Sequence, residues 1–222
     1  MKECCVIGLG YIGLPTAAIL CSNGHKVIGV DINKETVEKI NSGKTHIIEK
    51  DLDQIVEKQV LNGYLKACVQ PSKADVFIIA VPTPLDSTHD AIPKPNTKYV
   101  IDAVNSICPY LKPGNLVILE STSPVGTTEE IAKLIYKKTN LSNSDIHICY
   151  CPERVLPGKI IYELIYNDRV IGGINKVAAE ECKKFYKTFC KGILTLTTSK
   201  TAELVKLSEN AFRDVNIAFA NE

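Results

Sequence analysis

Residues 4–13, Cys-Cys-Val-Ile-Gly-Leu-Gly-Tyr-Ile-Gly, are an apolar run that breaks into three glycines spaced G-x-G-x-x-G. A second apolar run, 27–30, ends on Asp31, eighteen residues past the third glycine. Strand, glycine turn, helix and acidic strand end in that order leave few folds open, because each part has a separate task in holding a dinucleotide. Gly8 permits a tight turn out of the strand, and Gly10 keeps a Cβ out of the path of a pyrophosphate. Gly13 lets the following helix pack close to the sheet, so that its first N–H groups, around Tyr11 and Ile12, face the phosphates. A carboxylate at Asp31 would accept ribose hydroxyls and repel a 2′-phosphate, which favours NAD over NADP. Lys34 lies nearby, but one lysine does not cancel that repulsion. The structural alternative is a glycine-rich turn that serves packing alone.

The rest of the chain extends this pattern. Apolar runs at 4–8, 27–31, 65–69, 76–81, 116–119, 146–150, 170–172 and 193–196 alternate with helix-length amphipathic segments at 12–22, 34–41, 51–61, 99–110, 127–138 and 176–189. This is the pattern of βαβ units, and the expected fold is α/β, a Rossmann-type doubly wound parallel sheet. Asn33 and Thr127 are candidate helix N-caps. Pro82, Pro84, Pro93 and Pro95 bracket a loop of over ten residues that leaves the end of a strand, where open α/β sheets bind ligands. The 222 residues suit one large domain, or one domain with part of another.

Composition excludes several classes. A formal net charge of +1 and the lack of a long basic run argue against nucleic acid or a membrane surface as partner. No stretch approaches the roughly 18 uninterrupted apolar residues of a membrane span, and the glycine-broken N-terminus is no signal peptide. Nine cysteines, scattered and without a C-x-x-C pair, fit buried small hydrophobes in a reducing cytoplasm rather than a disulfide framework or zinc site. His25, His46, His89 and His147 share no metal-ligand spacing, so no metal site is expected.

From residue 201 the sequence reads as one continuous helix. Leu204, Ala211, Val215 and Ala218 fall on one face, flanked by Val205, Phe212 and Phe219, while Lys206, Asn210 and Arg213 cluster on the opposite face. The chain stops without a closing cap, so the expectation is a helix cut short, with an apolar face that wants a partner.

Several motifs in register make the reading specific: 6–15 (Val-Ile-Gly-Leu-Gly-Tyr-Ile-Gly-Leu-Pro), 81–84 (Val-Pro-Thr-Pro), 120–126 (Glu-Ser-Thr-Ser-Pro-Val-Gly), 151–158 (Cys-Pro-Glu-Arg-Val-Leu-Pro-Gly) and Lys206…Asn210. Together they resemble the UDP-glucose/GDP-mannose dehydrogenase family along essentially the whole chain. The stretches 151–158, 167–173 and 208–222 are most similar to the family's acetamido-sugar branch. The resemblance implies oxidation of a sugar C6 alcohol to a carboxylate by two NAD-dependent hydride transfers through a cysteine-bound intermediate. It also implies an NAD domain at 1–197, the start of a dimer-forming central helix at 198–222, and a C-terminal nucleotide-sugar domain that these residues lack. The family's nucleophilic cysteine belongs to a Gly-x-Cys segment, which does not occur here, so this chain alone is expected to bind NAD without turning over. Cys151 is the tempting substitute, with a buried structural thiol as the alternative.

The same resemblance assigns roles. Thr83 and Thr122 stand beside the cofactor, Thr122 near the reacting carbon; either could also be a structural hydroxyl at a strand end. Glu153, after a cis-prone Cys-Pro bond, orders or deprotonates the hydrolytic water. Pro157 stands where the UDP-glucose branch has a second glutamate, and Arg154 and Val155 mark the acetamido pocket. Lys206 and Asn210, spaced i, i+4, point a positive charge and a neutral donor at one oxyanion, and Arg213 reaches toward sugar or phosphate. Two other readings stay open. A β-hydroxyacid-type dehydrogenase also joins an NAD domain to a Lys-x-x-x-Asn helix but makes a single hydride transfer. A non-catalytic NAD-binding module needs only the first half of the argument.

Overall fold

The computed structural model describes residues 1–86 and 93–222. The first half contains β1 (Glu3–Ile7), α1 (Gly13–Ser22), β2 (Lys26–Val30), α2 (Lys34–Asn41), α3 (Leu52–Leu61), β3 (Leu65–Cys68) and β4 (Val76–Ile79). Then come the short β5 (Leu85–Asp86) and β6 (Lys94–Pro95), α4 (Lys98–Ile107), β7 (Leu116–Leu119), α5 (Thr127–Lys138) and β8 (His147–Tyr150). The chain finishes with α6 (Ile160–Tyr166), β9 (Arg169–Gly173), α7 (Lys176–Tyr186), β10 (Leu194–Thr198) and α8 (Ser199–Asn221). Eight strands make one sheet in the order β10-β9-β8-β7-β4-β1-β2-β3, and β5 pairs with β6 apart from it.

Strands β4 and β7 are apolar along their whole length, and the other inner strands carry no charged or polar side chain after their first residue except Tyr150, because both faces of the sheet are covered. Cys4, Val6 and Ile78 point into a core shared with α1, α3, α6 and α7. Their neighbours Cys5, Ile7, Phe77 and Ile79 point into a second core under α4 and α5. All nine cysteines are unpaired, and eight are buried, as expected of small hydrophobes. Among the described residues no helix is long and apolar enough to cross a membrane. Residues 87–92 of the proline-bracketed loop, with His89, lie outside the described residues.

Four local expectations need correction. The sheet is parallel except between β8 and β9, which run antiparallel. The register pairs the end of β9 with the end of β8, so the link between them stays at the carboxyl edge of the sheet and never returns to the amino edge. Within that link lies α6, whose run Ile-Ile-Tyr-Glu-Leu-Ile-Tyr is too uniformly apolar to show a helical period. Asn33 caps α2 through Glu35 and Thr36 N–H, but Thr127 caps nothing: the N-cap of α5 is Gly126, and the Thr127 hydroxyl donates to the Pro124 carbonyl. The Cys151–Pro152 bond is trans, as are all bonds among the described residues.

His25 is buried at the start of β2 with its ring edge-on to Phe185. The Thr188 hydroxyl donates to the Phe185 carbonyl, so it accepts from His25 Nε2–H at 3.0 Å. Nδ1 is buried without a partner. Burial, then the N-terminal amine and Lys2, push the imidazole below its ordinary value. A histidine held neutral in the fold adds stability above its unfolded pKa of about 6.5 and loses it as pH falls below that value. Urea unfolding at pH 7.5 and 5.0 should therefore show a larger acid-side loss in the wild type than in His25→Asn; equal losses would contradict this.

Candidate active site

The carboxyl ends of β1 and β4, where the strand order reverses, open onto a cleft of about 1010 Å³. Open α/β sheets bind ligands at this position. Gly8 leaves β1 at φ +90°, and a Cβ there would stand 2.6 Å from the Ala80 carbonyl oxygen. A Cβ on Gly13 would sit 1.8 Å from the Gly8 carbonyl oxygen, so α1 starts closer to the turn than any other residue allows. On Gly10 a Cβ would meet nothing within 4 Å; it would project into open space beside the cleft that Gly10, Tyr11 and Ile12 line. The first turn of α1 has no side-chain cap and no acidic residue; Leu14 and Thr16 N–H bond back to the Gly10 and Ile12 carbonyls, which leaves the N–H groups from Gly10 to Ile12 and the positive dipole end for an anion.

At the end of β2, Asp31 Oδ2 accepts Leu9 N–H at 3.0 Å and Oδ1 accepts Asn33 N–H at 2.9 Å. These bonds fix the carboxylate beside the cleft while each oxygen keeps a lone pair for a ribose hydroxyl. A free helix end, room at Gly10 and an oriented acceptor suit an adenine dinucleotide without a 2′-phosphate. On the far wall, Thr83 Oγ1 donates to the Thr122 carbonyl at 2.6 Å and joins the loops after β4 and β7.

A second, more polar cleft of about 570 Å³ adjoins the first and shares Thr122 and Glu153 with it. Lys206 Nζ, 8% exposed, donates to the Glu153 carbonyl at 2.5 Å and lies 3.5 Å from its carboxylate. Asn210 lines the same cleft one helical turn on, with Arg213 beyond it, half exposed and 3.8 Å from Asp214. The Arg154 guanidinium meets Glu209 at 2.5 Å and also donates to the Asp168 carbonyl. Val155 N–H donates to Glu153 Oε2 at 3.0 Å. The residues assigned cofactor, substrate or catalytic roles from the sequence thus line one cleft or the other, except Gly13, which is buried beneath the turn, whereas Cys151 lines neither.

Three buried groups around the clefts were not foreseen. Glu120, next to Ser121 and Thr122, pairs with Arg169 at 3.6 Å and accepts from Tyr186 Oη at 3.0 Å and Thr16 Oγ1 at 3.3 Å. Burial pushes its carboxyl up, against Arg169 and Tyr186, which pull it down. Glu49 accepts Gly158 N–H at 2.7 Å and Ile160 N–H at 2.9 Å, anchoring the 152–159 loop from the other half of the domain. Glu203 caps α5 from α8. Their only sequence signal is an acidic residue inside or beside an apolar segment. Cys151 is fully buried, which fits the structural reading of its thiol.

Sheet order, glycine turn, free helix end and acidic strand end define a Rossmann-type dinucleotide-binding domain. The family model for the NAD-binding domain of the UDP-glucose/GDP-mannose dehydrogenase family matches residues 2–190. Similar curated proteins include the UDP-N-acetyl-D-mannosamine dehydrogenase of Campylobacter jejuni, 55% identical over 100% of this chain and 56% of that protein. Another is the NDP-N-acetyl-D-galactosaminuronic acid dehydrogenase of Ralstonia nicotianae, 50% identical over 98% of this chain and 52% of that protein. Among solved structures, the UDP-D-ManNAc dehydrogenase of Pyrococcus horikoshii superposes with a TM-score of 0.94 at 45% identity, covering 99% of this chain and 52% of that one. The chain belongs to the UDP-glucose/GDP-mannose dehydrogenase family, and its cofactor is NAD. It spans about half the length of the curated relatives it matches.

The three glycine environments predict opposite outcomes for two similar variants. Gly13→Ala should lower the melting temperature by about 10 °C, because the Gly8 carbonyl cannot move aside. Gly10→Ala should melt within about 2 °C of the wild type yet weaken NAD at least about tenfold, a loss of roughly 1.4 kcal/mol. Melting curves and calorimetric NAD titration read both; equal behaviour of the two variants would contradict the assignment. In the same titration NAD should bind at least about tenfold more tightly than NADP, and Asp31→Asn should narrow the gap.

Proposed function

We propose that this chain supplies the NAD-binding half, and part of the sugar site, of an enzyme that oxidises the C6 alcohol of UDP-N-acetyl-D-mannosamine to the uronate in two hydride transfers, in the making of surface-polysaccharide precursors. The observation that carries the reading is the junction at Thr122 and Glu153, where the cofactor cleft runs into a smaller cleft lined by Lys206 and Asn210. Relatives whose names specify N-acetylated sugars support the substrate class. NAD, when bound, accepts hydride.

The protein's own residues do the rest. Thr122 and the Thr83 bond hold the wall where the two ligands meet. Lys206 and Asn210 direct an ammonium and an amide N–H at the C6 oxygen, and stabilise negative charge as it develops there. Lys206, little exposed and beside Glu153, takes up the alcohol proton from its neutral amine form, and the ammonium so formed is the charge that faces the C6 oxygen; Glu153 orders the water that hydrolyses the acyl intermediate. Arg154, Val155 and Arg213 line the sugar and phosphate end. The nucleophilic cysteine of the family lies in a Gly-x-Cys segment that these residues do not contain, so the chain by itself binds cofactor without turning over. Residues 1–197 act as the NAD domain and 198–222 as the start of a central helix. The exposed Leu204, Phe212, Val215 and Phe219 suit pairing with a second copy in a homodimer, and nine unpaired thiols suit the cytoplasm. A single-transfer β-hydroxyacid chemistry would use the same Lys206 and Asn210 but would need no cysteine.

Calorimetry of the NAD-loaded chain with UDP-N-acetyl-D-mannosamine should show binding that Lys206→Met weakens at least about tenfold, as expected for loss of a charged hydrogen bond worth about 1.5–3 kcal/mol. Unchanged affinity in the variant would contradict the assignment. In the same mixture absorbance at the NADH band should show no sustained product; steady NADH formation would show that the missing cysteine segment is not required.

A further inference from the structure

Glu203 is completely buried, three residues before Lys206 on α8. Its carboxylate accepts Gly126 N–H at 2.6 Å, Thr128 N–H at 2.8 Å and the Thr128 hydroxyl at 2.5 Å. All three partners are donors, and Glu203 joins none of the ion pairs among the described residues. The charge that answers it is the positive end of α5, where N–H groups otherwise lack partners. A serine or aspartate at the N-cap would serve α5 locally. Here the N-cap is Gly126, at φ +101°, and the cap comes from a residue 75 positions away in sequence. Burial, followed by the charge of Glu203, also pushes up the hydroxyl of Tyr150 on the neighbouring β8.

This bond joins two parts of the candidate site. On one side the loop carrying Thr122 ends at Gly126; on the other, one and two turns along α8, stand Lys206 and Asn210. The start of α8 is fixed separately, since a Cβ on Gly172 of β9 would lie 2.7 Å from Ser199 Cα and 2.7 Å from Ala202 Cβ. That contact sets where the helix begins; further along, Lys200 and Glu209 make partly exposed ion pairs, and Glu203 is the buried charged side chain of α8 that three donors hold from the side. We propose that Glu203 is a positioning residue, which fixes the rotation of α8 that presents Lys206 and Asn210 to the Thr122–Glu153 junction. The inference rests on the proposed role of those two side chains. With side-chain ends about 5–6 Å from a helix axis, a turn of about 10° moves them about 1 Å. A shift of that size is enough to cost about a hundredfold in a reaction that depends on alignment.

The test needs no sugar. In the 222-residue chain loaded with NAD, the Nζ signal of Lys206 can be followed by nitrogen-15 NMR and assigned by its loss in Lys206→Arg. In Glu203→Gln an amide oxygen at the Oε1 position keeps both Thr128 donors, and the amide nitrogen then faces the Gly126 N–H that Oε2 accepted. Hydrogen exchange at Lys206 Nζ should speed up about tenfold or more, while NAD affinity stays within about twofold. A lower melting temperature with Lys206 exchange unchanged within about twofold would mean that Glu203 only stabilises the fold, and would overturn the proposal. Should Glu203→Gln not fold, Thr128→Val removes one donor and keeps the carboxylate; an increase of about threefold is then expected, and none would overturn the proposal. Failure of the catalytic reading would show instead as unchanged sugar binding in Lys206→Met, with the Glu203 response intact.

Discussion

The near-contact between Gly13 and the Gly8 carbonyl sets the geometry on which the site is built. It places the first turn of α1 directly over the end of β1, so that helix N–H groups and strand turn face one cleft together. Asp31 bonds back to Leu9 and Asn33, which makes the end of β2 part of the same rigid turn. Cofactor selectivity against a 2′-phosphate then follows from a carboxylate that is already oriented and cannot swing away. No loop rearrangement is required to assemble this wall.

The opposite wall is organised by carboxylates that reach across the fold. Glu203 holds the loop after β7 to α8, Glu49 holds the loop after β8 to the segment before α3, and Glu120 ties β7 to Arg169 and Tyr186. Two of them, Glu203 and Glu49, accept backbone N–H groups at or next to a helix start, where a negative charge is most favourable. The effect is to fasten Thr122, Glu153 and Lys206 to one frame, although they come from three distant parts of the chain. Pre-organisation of this kind is what stabilisation of a developing oxyanion demands, since donors must be in place before charge appears.

The parts of the fold that could be read from the sequence are those with local causes. Strands covered on both faces show as unbroken apolar runs, the glycine turn shows as spacing, and Asn33 shows as a cap one residue before its helix. The antiparallel β9 could not be read, because strand direction depends on which sheet edge the preceding link ends at, and α6 lacked a polar face to mark it. The remote caps were hidden for a related reason: Glu203 and Thr128 are 75 residues apart, and Glu49 and Gly158 are 109 apart. Thr127 looked like a cap on propensity alone, and tertiary contact gave that task to Glu203. Arg154 and Glu153 were visible as motif residues, but their pairing with Glu209 and Lys206 required the helix and loop to be placed together.

A crystal structure of the chain with NAD and the nucleotide sugar addresses the central claim most directly. In that complex the pyrophosphate should lie against the N–H groups of Gly10 to Ile12, the adenosine ribose on Asp31, and the nicotinamide ring at the Thr122–Glu153 junction facing Lys206. A nicotinamide ring lodged away from that junction, with Lys206 and Asn210 on the far side from the sugar, would contradict it.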